Sequence, residues 1–210
     1  MLGFSLQFLG FPLQFLLSLI RSSTVFVFVF LSGISKLAMA ASSSTSGYGS
    51  YDVFINHRGP DVKKTFSSHL YRRLLSHGLK VFLDQPELQR GDSLTSQIES
   101  AIRSASVHVA VFSPGYADSN WCLDELLQML ESGKPIIPVF YGVKPSELRW
   151  TRGSDGKYAQ ALQSLANKTT DDDQPHQKRL RYDPGTIDSW RNALASVSYI
   201  CGFDLESCNG

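Results

Sequence analysis

A tryptophan and a glutamate stand four residues apart in the stretch SNWCLDELLQMLESGK, residues 119–134, where a helix is predicted to begin. At about 100° per residue, Trp121, Glu125 and Gln128 fall nearly opposite the apolar stripe of that helix. The stripe consists of the leucines Leu123, Leu126, Leu127 and Leu130. An unburied indole wastes a large apolar area unless something flat stacks on it. The pair therefore favours a ligand-binding carboxylate over the alternative, a solvated surface acid.

The elements that must position this pair alternate between apolar runs and helical patterns from Tyr51 onward. Strands are predicted at 51–55, 80–84, 107–113 and 135–141, and CGFDL can supply a short fifth strand. Region 142–185 reads as irregular and polar, and TIDSWRNALASVSYI reads as a helix. This alternation predicts an α/β fold with a parallel sheet and right-handed crossovers. We expect the flavodoxin-like three-layer arrangement, with five strands in the order 2-1-3-4-5.

Ligands of open α/β sheets bind outside the carboxyl ends of the strands, where the strand order reverses. In the order 2-1-3-4-5 that point lies between strands one and three. The loops there are NHRGPD and SPGYADSNW. We therefore expect Arg58 and Gly59 to face Trp121 and Glu125 across one crevice.

Composition and missing motifs exclude several classes of function. The formal net charge of +1 does not favour nucleic-acid binding. The three cysteines lack CxxC spacing, which favours free thiols over disulfides or a zinc site. No GxGxxG follows the first strand, and GxxxxGK[ST], HExxH and GxSxG are missing. Strand three ends in Ser113, where a phosphoacceptor receiver domain needs an aspartate. No metal and no cofactor is expected.

Residues 1–50 form a leader that differs in composition from the rest, with an apolar beginning and the linker SSSTSGYGS at 42–50. Three interpretations stay open. The segment is a secretory or signal-anchor sequence, an organelle transit peptide, or a stretch upstream of a functional start at Met39.

Four stretches in register resemble a plant Toll/interleukin receptor (TIR) domain over residues 51–205, with 206–210 as a tail. They are YDVFINHRGPDVKKTFSSHL, FLDQPELQRGD, AIRSASVHVAVFSPGYADSNWCLDELLQML and PIIPVFYGVKPSELR. Without a nucleotide-binding or leucine-rich segment, the chain resembles a TIR-only protein. The resemblance implies an NAD+ nucleosidase in plant immune and cell-death signalling.

The resemblance also implies roles for particular residues. Glu125 in WCLDEL matches the family's catalytic glutamate, and Arg58, Gly59 and Trp121 match substrate contacts. Arg90 and Gly91 match a loop that closes over the site of a neighbouring subunit. Ser68 and His69 match the pair that the family uses for self-association. The implied partners are other TIR domains, including further copies of this chain in a homo-oligomer.

Two departures from the family concern the segments INHRG and GVKPSELRWTRGSDGKYAQAL, and they affect oligomer geometry more than chemistry. NAD+ is the expected substrate, with NADP+ as an alternative. The competing hypothesis is a non-catalytic adaptor that signals by homotypic TIR–TIR binding. The expected location is the cytoplasm, or a membrane if residues 1–35 are retained as an anchor.

Overall fold

The computed structural model describes Gly33 and residues 51–83, 92–149, 151, 153, 155–169 and 181–205. The strands are Val53–His57 (β1), Val81–Leu83 (β2), Val107–Phe112 (β3), Ile136–Phe140 (β4) and Phe203–Asp204 (β5). They form one five-stranded sheet in the order β2-β1-β3-β4-β5, and each neighbouring pair is parallel. The predicted fold class and strand order are confirmed.

The helices are Gly59–Val62 (α1), Ser68–Ser76 (α2), Asp92–Ser104 (α3), Asn120–Glu131 (α4), Pro145–Arg149 (α5), Lys157–Ala166 (α6) and Pro184–Val197 (α7). A π-helical segment, Lys63–Ser67, joins α1 to α2, and a 3-10 turn, Tyr116–Asp118, precedes α4. The prediction that residues 142–185 are irregular is wrong where helices α5 and α6 form. Helix α6 forms because apolar residues at helical spacing meet the core, namely Tyr158, Ala161, Leu162 and Leu165.

The sheet separates two apolar layers, as the alternation of side chains along β1 shows. Phe54 packs into the larger cluster, to which α3, α4, α6 and α7 contribute. Val53 and Ile55 pack into the smaller cluster on the other face, beneath α2. Because β1 and β3 are buried on both faces, their sequences are mainly apolar rather than alternating, with Asn56, His57 and His108 as the polar exceptions.

Several predictions concern residues that the structure does not describe. The leader (Gly33 apart), the tail 206–210, and the loop residues Arg90 and Gly91 lie outside the described residues. Their proposed roles stay predictions. Within the described ranges, Cys122 and Cys201 are free thiols, and no helix has the length and apolar character needed to cross a membrane.

Candidate functional site

The site is organised by the last residues of β1, which point to opposite faces of the sheet. Asn56 is completely buried and points toward α4, where its Nδ2 donates a hydrogen bond to Oε2 of Glu125 over 2.8 Å. His57 is the next residue, so its side chain enters the layer beneath α2 instead. Glu125 is thereby attached to the carboxyl end of β1, beside β3, where the strand order reverses.

Glu125 does not lie on an exposed helix face, which corrects the expected helix orientation. Only 7% of the residue is exposed, and it shares a buried side of α4 with Cys122 and Met129. Helix α4 packs against α7 as well as the sheet, and Nε1 of Trp190 donates to Oδ1 of Asp124 over 2.8 Å. Burial therefore extends beyond the leucine stripe, while Leu127 and Leu130 are only partly buried.

A hydrogen-bond network satisfies the polar atoms around this carboxylate. The hydroxyl of Tyr116 contacts both Oδ1 of Asn56 and the carbonyl of Cys122, the latter at 3.0 Å. Sγ of Cys122 donates to the carbonyl of His57 over 3.4 Å. Burial, then the nearby Cys122 and Glu125, raise the pKa of Tyr116 well above its usual value, so its hydroxyl keeps its proton.

Arg58 follows this cluster in the chain and forms an ion pair with Asp61 in the first turn of α1. Asp61 also accepts hydrogen bonds from Oγ of Ser113 at 2.6 Å and from the backbone N–H of Gly115 at 3.0 Å. Burial raises the pKa of Asp61, but the Ser113 hydrogen bond and Arg58 together outweigh it, so the pKa lies below 3.8. The carboxylate is ionised at neutral pH and joins the loops after β1 and β3.

The Arg58 guanidinium passes close to the backbone of Gly115 in the loop after β3. A Cβ there would lie 2.8 Å from Nη1 of Arg58 and 2.8 Å from Oδ2 of Asp61. Arg58 therefore packs on the loop that leads to Trp121. Gly59 is half-buried at the start of α1.

Trp121 lies in the first turn of α4 with 44% of its surface exposed. The turn begins at Ser119, whose side chain caps it by accepting from the N–H of Cys122 over 3.4 Å. The two residues of the sequence pair thus differ in environment, with an exposed indole above a buried carboxylate on the same helix. Trp121 is free to stack on a ligand that approaches from solvent.

Ser68 and His69 belong to a different surface. They begin α2, which covers the opposite face of the sheet from α4. Oγ of Ser68 donates to the carbonyl of Lys63, and His69 is exposed. The structure therefore does not bring this pair to Glu125, and the self-association role of the pair stays a prediction.

Four residues that hold the site residues in place were not predicted from the sequence, namely Asn56, Asp61, Ser113 and Tyr116. Asn56 offered a signal, because a polar residue near the end of an otherwise apolar strand needs a partner when buried. Asp61 offered another, since it stands three residues after Arg58 at the start of a helix.

In the described part of the chain, no group of three or more His, Cys, Asp or Glu residues is placed to hold a metal ion. A surface cavity of about 180 Å³ lies elsewhere, between α6 and α7, and is lined by Ala166, Tyr182, Pro184, Ile187, Asp188 and Arg191. It contains none of the predicted site residues.

Comparison with known proteins decides the family. The model of the TIR domain family matches residues 50–210. The chain belongs to the TIR domain family. This TIR domain is 51% identical over 106 residues to the protein named "Probable 2' cyclic ADP-D-ribose synthase BdTIR" of Brachypodium distachyon, which covers 50% of the chain and 47% of that relative.

Other relatives are plant resistance proteins. TMV resistance protein N of Nicotiana glutinosa is 36% identical over 166 residues, which is 77% of this chain and 13% of that protein. The chain thus spans less than half the length of either relative. Its fold matches the TIR domains in the activated Roq1 resistosome directly recognizing the pathogen effector XopQ, with TM-score 0.62 and 38% identity over 75% of this chain and 89% of that one.

Proposed function

We propose that this TIR domain is an NAD+ nucleosidase that cleaves the bond between nicotinamide and ribose, with Glu125 as its catalytic carboxylate. The observation that carries the proposal is the buried Glu125, held 2.8 Å from Asn56 at the switch point of the sheet. The relative named as a probable 2' cyclic ADP-D-ribose synthase, 51% identical over 106 residues, supports this class of chemistry. The products are nicotinamide and ADP-ribose or a cyclic form of it.

One carboxylate is sufficient for this reaction. Nicotinamide leaves NAD+ from a positively charged nitrogen, so it departs as a neutral molecule and needs no general acid, unlike an ordinary sugar leaving group. Glu125 accepts hydrogen bonds from the ribose hydroxyls and stabilises the oxocarbenium charge that develops on the ring. Its burial excludes water, which strengthens that electrostatic interaction.

The surrounding residues bind the rest of the substrate. The exposed indole of Trp121 stacks on a flat part of NAD+, and the Arg58 guanidinium balances the pyrophosphate beside the Gly59 turn. Arg90 and Gly91 of a second subunit complete the site when TIR domains associate through Ser68 and His69. We place this activity in the cytoplasm, where the thiols stay reduced, within plant immune and cell-death signalling. NADP+ is an alternative substrate, and an anchor at residues 1–35 would move the reaction to a membrane.

The test is nicotinamide release from NAD+ by the purified full chain, compared with Glu125→Gln. Losing one electrostatic stabiliser of a transition state costs on the order of 10²–10³ in rate, and we expect a loss of that size with an unchanged melting temperature. Glu131→Gln is the matched control, because Glu131 is an exposed glutamate on the same helix. Wild-type turnover in Glu125→Gln would remove Glu125 from the catalytic role.

The second candidate is a non-catalytic adaptor that binds other TIR domains. The exposed His69 on α2 and the likeness to TIR domains in the Roq1 resistosome favour it. Under this hypothesis, His69→Glu abolishes self-association in light scattering while wild-type protein releases no nicotinamide at any concentration. If the enzyme needs a composite site, its specific activity rises with protein concentration and falls in His69→Glu.

A further inference from the structure

We propose that Asn56 is a positioning residue that holds the Glu125 carboxylate in its reactive orientation. The inference rests on the proposed function and deepens it, because it assigns the control of the catalytic group to a residue of β1 that does not itself touch substrate. Asn56 is 0% exposed, so it acts on a ligand only through Glu125.

The amide of Asn56 is oriented by its neighbours on both sides. Nδ2 donates to Oε2 of Glu125 over 2.8 Å, and it lies 3.4 Å from the carbonyl of Cys122. Oδ1 contacts the hydroxyl of Tyr116. The reversed amide would place its oxygen against the carboxylate, where two acceptors repel each other and no proton joins them. The N–H group of Asn56 therefore faces Glu125.

The scaffold behind this contact is rigid. Asn56 lies within the parallel pairing between β1 and β3, opposite Ala110 and one residue before the last pair. Its amide connects the sheet to α4, which carries Glu125. A hydrogen bond to an ionised group is shorter and stronger than a neutral one, so the carboxylate gains a preferred rotamer from it. A carboxylate that is displaced by even 1 Å loses much of its effect on a transition state.

The alternative is a purely structural role, in which Asn56 only satisfies buried polar groups. The two roles differ in what a substitution changes. A positioning role lowers kcat at nearly constant KM, since substrate binding depends on Trp121 and Arg58. A structural role lowers the melting temperature and leaves the kcat of the folded protein unchanged.

The experiment measures kcat, KM and the melting temperature of the full chain with NAD+ for wild type, Asn56→Asp and Tyr116→Phe. Asn56→Asp keeps the shape and replaces the donor with an acceptor facing Glu125. We expect kcat to fall at least about 10-fold, which corresponds to losing one hydrogen bond to a charged group, with KM within about 3-fold. Tyr116→Phe leaves Asn56 in place but frees its oxygen, so kcat should fall by a smaller factor. Ile55→Val is the matched control, since Ile55 is fully buried on the same strand and faces the other layer.

Each outcome decides the proposal. An unchanged kcat in Asn56→Asp, or a loss no larger than in Ile55→Val at equal melting temperature, overturns the positioning role and leaves the proposed function intact. If Asn56→Asp does not fold, Tyr116→Phe decides, because an unchanged kcat there overturns the role and a reduced kcat supports it. Wild-type protein without nicotinamide release overturns the proposed function first, and the positioning role with it.

Discussion

Asp61 forms an ion pair with Arg58 and at the same time accepts hydrogen bonds from the loop that follows β3. One carboxylate therefore connects the carboxyl ends of the two strands that flank the switch point. The ion pair with Asp61 orients the Arg58 guanidinium. The side chain of Arg58 stays partly exposed, with 27% of its surface accessible. In the proposed function this is the group that binds the pyrophosphate of NAD+.

Asp61→Asn should raise KM for NAD+ several-fold, because the guanidinium loses the charged partner that orients it. Asp188→Asn provides the control. Asp188 forms the same kind of ion pair with Arg191, three residues later, on α7 away from the site. That variant should leave KM unchanged. A lower KM in Asp61→Asn would contradict the prediction and show that Asp61 competes with substrate for Arg58.

Asp61→Asn should also change how the stability of the fold depends on pH. The pKa of Asp61 is lowered in the folded protein, so its contribution to stability is present above the ordinary value of 3.8 and is lost as the pH falls through the lowered pKa. Wild type should unfold at a higher temperature than Asp61→Asn at pH 7. The difference should shrink below pH 3.8. A constant difference across that range would exclude the ionised carboxylate as its cause.

Trp121→Ala should weaken substrate binding without weakening the fold. Removing the exposed indole takes away a stacking surface worth about 1 kcal/mol or more, which corresponds to roughly a 5-fold or greater rise in KM. The control is Leu75→Ala, because Leu75 is 42% exposed on α2, across the sheet from Trp121, which is 44% exposed. Equal kinetics in both variants would mean that Trp121 does not contact NAD+.

His57→Phe should make the fold less sensitive to acid. Burial lowers the pKa of His57 from 6.5 to about 4, an effect that the backbone of Ile55 only partly offsets. Between these values the unfolded chain binds a proton that the folded chain does not, so stability falls as the pH drops from 6.5 toward 4. Phenylalanine removes this loss. We expect His57→Phe to gain about 1–2 kcal/mol over wild type at pH 5 and much less at pH 8, by chemical denaturation.

His108→Phe is the comparison for that experiment. The pKa of His108 is also lowered to about 4 by burial, but its Nε2 contacts the carbonyl of Ile102 over 3.0 Å. Neither ring nitrogen of His57 has a hydrogen-bond partner of normal geometry in the described chain. Both variants should lose acid sensitivity, and only His57→Phe should do so without a loss of stability at pH 8. A stability loss at pH 8 in His57→Phe would mean that its ring makes a polar contact.

The amino-acid sequence alone determined the layered α/β fold and the identity of the predicted catalytic residue. Strands buried on both faces are mainly apolar, and parallel strands need helical crossovers, so the alternation from Tyr51 onward predicts the parallel sheet that the structure shows. The carboxyl ends of β1 and β3 then had to carry the site. That position and the resemblance to TIR domains together predict Glu125, Trp121 and Arg58 as site residues.

Only the tertiary structure decided the environment of each of these residues. Helical periodicity describes one apolar stripe, but α4 is covered by the sheet and by α7, so Glu125 became buried although it lies off the leucine stripe. The partners of the site residues come from distant parts of the chain, and Asn56 and Glu125 are 69 positions apart. Contacts between such distant residues depend on how the layers pack together, and a local pattern of residues carries no information about that packing.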